Sequence, residues 1–265
     1  MVARSQSPLQ PLVRKLLHRG ELEAADEEAL LNLPHRIKEI ERHGFILRER
    51  DKSTHSCVML SGFAIRYKVV EGGARQIVAI HMKGDVVNFQ NCFGGVADHR
   101  VQVLTDSDVA FISREAVKKL ICERPNVGMA LWHDALVDAS ILAEWIANVG
   151  RRNAFARIAH FLCELSLRLE GAGLGERTDY ELPMTQEQIA DSTGLTPVHV
   201  NRMLKAMELR KLIARRNSRS IRIGDWRKLA DVGDFDSSYL HLREEVCAGL
   251  NHQNQSHLVG APPSH

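Results

Sequence analysis

The stretch from Thr185 to Leu204, TQEQIADSTGLTPVHVNRML, restricts what this chain can fold into more than any other. Thr185 followed three residues on by Gln188 is a capping box. Each side chain takes a backbone N–H that the first turn of a helix leaves unpaired. Thr196 with Pro197 behind it gives a second N-cap and a first-turn proline, so a second helix starts there. Between the two starts stands Gly194, where the first helix must stop and the chain must turn. Two short helices crossing steeply need a small residue where they touch, and Ala190 after Ile189 supplies it. Leu195 at the turn and Val200 with Met203 on the inner face of the second helix complete the set. Any one of these signals is common. Together, at these spacings, they predict a helix-turn-helix.

The outward positions of the second helix are then Pro197, Val198, His199, Asn201, Arg202 and Lys205. Arginine suits a bidentate contact with guanine and asparagine one with adenine, so Arg202 and Asn201 are the candidate base readers, with Val198 and His199 beside them. The two N-caps, Thr185 and Thr196, stand at helix N-termini that favour a phosphate, and Lys205 suits the same duty. The bland reading of Arg202 is an ion pair on a solvated face. Net charge is only +2, so affinity for nucleic acid must come from a local patch. From Arg202 to Arg222 there are eight basic residues against one acid, Glu208. The run LIARRNSRSIRI alternates apolar with basic residues about an Asn-Ser turn, which predicts a small hairpin, or wing, placing Arg215, Arg216 and Arg219 against a sugar-phosphate backbone.

The rest of the chain changes texture twice. PLVRKLLHRGELEAADEEALLNL predicts one or two short helices. From about Ile37 to Ser113, short β-rich runs such as FAIRYKVV, QIVAIHM and DVAFIS are separated by turn residues, as in an antiparallel sandwich or roll, with Gly72-Gly73 a hairpin turn. From Pro125 the period is helical again and carries two apolar stripes. One is Met129, Trp132, Leu136, Ala139, Ala143 and Ile146, and the other Leu131, Ala135, Asp138, Leu142, Trp145 and Val149. A surface helix needs one stripe, so the second is expected to meet a second copy of the chain, the alternative being burial within one domain. Leu131, Leu142, Trp145 and Val149 are the expected dimer contacts, and Asp138 interrupts them. GRRNA is the candidate hinge, EGAGLGERTD a flexible loop, and NHQNQSHLVGAPPSH a disordered tail. The expected class is α+β: a sensor roll over 10–124, a dimerisation helix and hinge over 125–150, a winged helix-turn-helix domain over 151–242 and a tail over 243–265.

Other classes find little support. No apolar run approaches the roughly 18 residues of a membrane span, and the N-terminus lacks the apolar core of a secretory signal, so a cytoplasmic protein with no membrane role is expected. Five scattered cysteines without a Cys-x-x-Cys pair argue against a disulfide framework or a spaced zinc site. No nucleophile, base and orienting group can be assembled, and no phosphate loop is present, so no enzyme, metal or cofactor is expected.

The order of roll, long helix, hinge and winged helix-turn-helix resembles the Crp/Fnr family of bacterial transcription regulators, from about residue 10 to residue 242. GLTPVHVNRML and LIARRNSRSIRI carry the resemblance most specifically, supported by LSGFAIRYKV and KGD in the roll. It implies a homodimer that binds palindromic double-stranded DNA and contacts RNA polymerase. Three departures bear on function. Where cyclic-AMP-binding members hold ribose and phosphate with Gly-Glu and Arg-Ser pairs, this chain has Asn88-Phe89 and Ala97-Asp98. A carboxylate facing a phosphate repels it, so cyclic nucleotide is not expected, a register shift bringing in Arg100 being the alternative. The N-terminal cysteines of iron-sulfur members are missing, the first cysteine being Cys57, while His81, Cys92 and His133 are the available residues for a haem. Finally, Val198 stands where many members have a glutamate and Asn201 where they have a small residue, while Arg202 matches their arginine, so the half-site should differ from the family's usual one. The rival expectation is a ligand-binding signalling module whose helix-turn-helix serves protein interaction.

Overall fold

Two short helices open the chain, α1 (Gln10–Leu17) and α2 (Ala24–Leu31). Leu12, Val13 and Leu16 face inward from α1 at the three- and four-residue steps of a single apolar stripe. The computed structural model describes residues 7–217 and 219–242, so the tail expected over 243–265 lies outside the described residues.

The strand-rich region forms two antiparallel sheets. Strands β1 (His35–Ile40), β3 (His55–Met59) and β7 (Ser107–Ser113) make one, in the order β1-β7-β3. Strands β2 (Phe45–Leu47), β4 (Ala64–Val69), β5 (Arg75–His81) and β6 (Arg100–Val103) make the other, in the order β2-β6-β4-β5. Alternate residues such as Val101 and Val103 turn inward and meet Cys57, Met59 and Val109 from the opposite sheet, so the period of two becomes a core between the sheets. Gly72 and Gly73, at φ 90° and 84°, make the β4–β5 turn in a region other residues avoid.

Helix α3 (Arg114–Glu123) starts where the Ser113 hydroxyl accepts the Ala116 N–H, and α4 (Pro125–Arg151) follows with a proline in its first turn. Val127, Ala130, Leu131, Asp134, Val137, Ile141 and Trp145 form the buried face of α4. This corrects the expected dimer stripe. Leu131 packs with the α1 core and Trp145 is buried where its indole N–H donates to Glu164 Oε2 at 2.8 Å. Val149 faces Gly194 in the turn of the helix-turn-helix. Of the four residues expected at a partner, Leu142 alone is exposed, and it joins the opposite stripe of Met129 (66% exposed), Trp132, Leu136 and Ile146 (68%). Period identifies two apolar faces but not which one the roll covers. The buried tryptophan needs an acceptor for its N–H, and Glu164 is on the inner side.

Helix α5 (Ala154–Gly171) begins at Asn153, whose side chain accepts from the Phe155 and Ala156 N–H groups. The expected flexible loop instead forms a hairpin of β8 (Gly175–Glu176) and β9 (Asp179–Glu181). These strands join β10 (Ile213–Arg215) and β11 (Ser220–Ile223) in a sheet ordered β10-β11-β9-β8. Helices α6 (Gln186–Thr193), α7 (Pro197–Leu209) and α8 (Trp226–Gly233) complete the C-terminal part. Its core is continuous with the outer face of the roll, because Ile65, Ile77 and Ile80 belong to the same apolar cluster as Leu162, Ile189 and Leu204.

A chain of charges runs through this seam. Lys15 Nζ lies 2.9 Å from Asp85 and 2.7 Å from Asp134, Arg19 Nε lies 3.1 Å from Asp134, and Arg168 reaches Glu164 at 3.3 Å and the Ile80 carbonyl at 2.6 Å. Asp138 turns into the same seam, where burial pushes its carboxyl up against the opposing pull of Lys15. Asp134→Ala leaves the buried Arg19 without its carboxylate, and urea denaturation is expected to show a loss of about 3 kcal/mol.

Candidate nucleic-acid interface

The capping box is closed at the start of α6. Thr185 Oγ1 accepts the Gln188 N–H at 3.3 Å and Gln188 Oε1 accepts the Thr185 N–H at 2.8 Å, leaving Thr185 at the surface. Gly194 ends the helix at φ 63°, the left-handed region that favours glycine, and a Cβ there would press on Val149 at 3.0 Å. Arg157 donates to the Thr193 carbonyl at 2.7 Å and ties the turn to the start of α5.

Helix α7 starts where Thr196 Oγ1 accepts the His199 N–H at 3.3 Å. Val200, Leu204 and Met207 face the core. The opposite face presents Val198 (78% exposed), Arg202, Lys205 and Leu209 (86%), spaced four, three and four apart. Asn201 is half-buried beside Val198 and Arg202, and the His199 ring sits 3.2 Å from the Thr196 hydroxyl, drawn back toward the cap. Leu209 did not figure among the sequence candidates. Its spacing from Val198 follows the same face through three turns and would have found it.

The wing is less available than its arginines suggest. Strands β10 and β11 pair as a hairpin, and Asn217 Oδ1 accepts the Arg219 and Ser220 N–H groups at 2.8 Å to form the tip. Arg215 forks onto Glu208 at 2.7 and 2.8 Å with its side chain only 16% exposed, which holds the Glu208 carboxyl below its ordinary value. The expectation that Arg215 faces the DNA backbone is corrected: its fork is satisfied inside the domain. Arg216 and Arg222 share Asp179 at 3.1 and 2.8 Å while remaining exposed. Arg219 is exposed with no carboxylate partner among the described residues.

Helix α6 also touches the roll directly. Arg75 at the start of β5 places Nη2 2.6 Å and Nε 2.7 Å from Asp191, and Gln76 donates to the Ser192 carbonyl at 3.4 Å.

Between the roll and α4 lies a cavity of about 830 Å³ lined by Arg66, His81, Phe89, His99, Trp132 and Asp138, among others. Burial holds both His81 and His99 below the ordinary imidazole value, Arg66 adding to the effect. Asp98 bonds His99 at 2.7 Å and Lys68 at 3.0 Å, partners that hold its carboxyl down to about 2. Arg100 pairs with Glu49 at 3.3 Å, and Asn88 is a buried brace on the Cys57 N–H and the His55 carbonyl. Of the residues considered for a haem, His81 lines the cavity, Cys92 belongs to the core under α3, and His133 bonds the Arg19 carbonyl at 2.6 Å. Among the described residues no group of three His, Cys, Asp or Glu side chains could hold a metal ion. Among the described residues no helix is long and apolar enough to cross a membrane.

Residues 37–124 match the family model of the cyclic nucleotide-binding domain, and residues 156–232 that of the Crp-like helix-turn-helix domain. The nitrogen fixation regulation protein FixK of Rhizobium meliloti is 32% identical over 168 residues, covering 63% of this chain and 73% of FixK. The transcriptional activator protein FnrL of Cereibacter sphaeroides is 26% identical over 190 residues, covering 71% and 76%. Among solved structures, FixK2 from Bradyrhizobium japonicum superposes with a TM-score of 0.69 at 23% identity, over 76% of this chain and 98% of that one. A CooA variant from Carboxydothermus hydrogenoformans gives 0.62 at 17%, over 83% and 94%. Both likenesses are of fold.

The buried histidines carry a pH dependence whose sign follows from their depressed values. The unfolded chain takes up protons near pH 6.5 that folded His81 and His99 refuse, so their neutral burial is tolerated above that pH and costs stability as pH falls below it. Melting temperature is expected to drop between pH 7 and pH 5, and His81→Gln with His99→Gln to flatten that slope.

Proposed function

The chain belongs to the Crp/Fnr family of transcription regulators, and from that premise we propose that it binds palindromic promoter DNA as a homodimer, reading bases through the outer face of α7. That it is a DNA-binding transcription regulator follows from the family. The finer reading rests on one observation above the others: a capped helix whose outer face presents Val198, Arg202, Lys205 and Leu209 to solvent while its inner face is locked into the core. In this reading Arg202 and Asn201 contact base edges, with Val198 and His199 beside them. Lys205, Arg219 and Arg216 take backbone phosphates, with the N-terminal caps Thr185 and Thr196. Arg216 would first have to share or leave Asp179.

The dimer reading is supported by the exposed stripe of α4, Met129, Trp132, Leu136, Leu142 and Ile146, a continuous apolar face on a 27-residue helix. Two-fold symmetry about it would set the recognition helices about one DNA turn, roughly 34 Å, apart. The sensor reading is that the roll does not take cyclic AMP, because Asp98 carries a negative charge where the Arg-Ser pair of cyclic-AMP-binding members would hold a phosphate and Arg100 is drawn away to Glu49. Contact with RNA polymerase and action in the cytoplasm, in the sense of activation, are carried over from the family.

Selection of bound sequences from random DNA is expected to return a palindrome. Arg202→Ala should flatten selection at one base pair per half-site, a discrimination of about 1–3 kcal/mol. Lys205→Ala should weaken binding to all sequences alike and reduce the salt slope by about one. Equal losses on selected and random DNA for Arg202→Ala would overturn the base-reading assignment, and no enriched motif would overturn the reading as a whole. Leu136→Glu with Ile146→Glu is expected to give monomers by sedimentation, whereas an unchanged dimer would move the interface off this face.

A further inference from the structure

The C-terminal domain does not stop at the end of α8. Residues 234–242, beyond the match to the Crp-like helix-turn-helix model, turn back along α4 toward the roll. Arg152 at the hinge donates to the Asp234 carbonyl at 2.9 Å and to its carboxylate at 3.1 Å. Phe235 and Tyr239 pack on the ring of His160, and the Tyr239 hydroxyl donates to Glu164 Oε2 at 2.9 Å, the oxygen that also accepts the Trp145 indole N–H. Leu240 is fully buried. The strap then ends on Arg19, in the turn after α1.

Arg19 is the meeting point of three parts of the molecule. Its Nε lies 3.1 Å from Asp134 on α4, while its Nη1 donates to the carbonyls of Leu240 at 3.2 Å and His241 at 2.9 Å. Its side chain is only 9% exposed. His133, one residue before Asp134, bonds the Arg19 carbonyl at 2.6 Å and packs its ring on that of His241. The winged domain is therefore fastened along α4 at the covalent link Arg152-Asn153, at Val149 against Gly194, at Trp145 on Glu164 and through the strap near Asp134, the link and the strap being the outermost of these points. Eighteen residues of helix separate the two points, about 27 Å at 1.5 Å per residue. Tilting the domain by about 10° about the hinge would pull the strap some 5 Å from Arg19, outside hydrogen-bond range.

We propose that Arg19 is a positioning residue for half-site spacing: by holding the strap, it sets the angle of the winged domain on α4 and with it the separation of the two recognition helices. The proposal rests on the reading of the chain as a homodimer on palindromic DNA. Contacts close to the hinge act on a short lever arm and restrict tilt along α4 weakly, whereas the strap, at the far end of that arm, restricts it most and narrows the range of separations at which two half-sites are reached together. The strap thus buys discrimination between spacings and not affinity for a half-site.

The test uses the full chain and the palindrome selected by the wild type, with the spacer between half-sites lengthened or shortened by one base pair, and fluorescence anisotropy at fixed salt. Arg19→Lys keeps a cation opposite Asp134 but loses the planar fork that reaches both carbonyls. The wild type is expected to lose about tenfold or more in affinity per base pair of altered spacing, and Arg19→Lys about threefold or less, as expected when linkage geometry sets the effective concentration of the second contact. Affinity for a single half-site and the salt slope should be unchanged in the variant. Tyr239→Phe, which removes the strap's bond to Glu164 while keeping its ring, is expected to shift the profile the same way and serves where Arg19→Lys does not fold. A variant that folds and discriminates spacings as sharply as the wild type overturns the role of Arg19. A wild type that binds palindrome and single half-site alike overturns the dimer reading, and this proposal with it.

Discussion

Asp134 holds the molecule together at the point where its parts meet. It is a buried carboxylate on the inner face of α4, and it is tolerable there because Lys15 and Arg19 approach it from the N-terminal segment. Lys15 passes the connection to Asp85 in the roll, and Arg168 continues it from Asp85 to Glu164 on α5, where Trp145 and Tyr239 also bond. The N-terminal helix, the roll, α4, α5 and the C-terminal strap thus share one network of compensated charge. A buried charge must keep its partners or be neutralised, so each of these parts constrains where the others can stand. The apolar cluster that joins β4 and β5 to the winged domain supplies attraction without direction, and the charges supply the register.

The candidate nucleic-acid face is built differently. Its positive charge is concentrated in sequence but not all of it faces outward. Arg215 is turned onto Glu208, and Arg216 and Arg222 converge on Asp179. These pairs fasten the wing to the end of α7 and to β9, so part of the basic patch builds the interface rather than serving as its contact surface. The roll holds the same motif from the other side, through Arg75 on Asp191, at the end of α6 that leads into α7. The turn between the two helices is thereby bounded by the roll, by Val149 at the end of α4 and by Arg157 of α5.

The departures from sequence expectation share one cause. EGAGLGERTD is rich in glycine and charge, and locally it reads as a loop. Its Gly175–Glu176 becomes strand β8 by pairing with β9, which in turn adds to the edge of β11 with Tyr180 buried and its hydroxyl on the Leu162 carbonyl. The stripe containing Leu131 and Trp145 and the stripe containing Trp132 and Ile146 are equivalent as periodic patterns, and only the position of Glu164 and the α1 core separates them. Arg215 is one more basic residue in a basic run until Glu208 is brought alongside it.

What the sequence determines by itself is whatever depends on neighbours within a few residues. The capping box at Thr185, the cap at Thr196, the turn at Gly194 and the Gly72-Gly73 hairpin are set by backbone geometry and by local competition for N–H groups. For that reason the helix-turn-helix, Val200 on its inner face and the outward placement of Val198, Arg202 and Lys205 were legible in the sequence, whereas Met203, expected inside, is only half-buried and Leu204 and Met207 take the inner positions with Val200. The tertiary structure alone decided which face of α4 is covered, which arginines remain free, and that the chain after α8 returns to Arg19. Those outcomes rest on pairings between residues as far apart as Arg19 and His241. Buried charge and hydrogen-bonding demand select such partners across the whole chain, and periodicity carries no record of them.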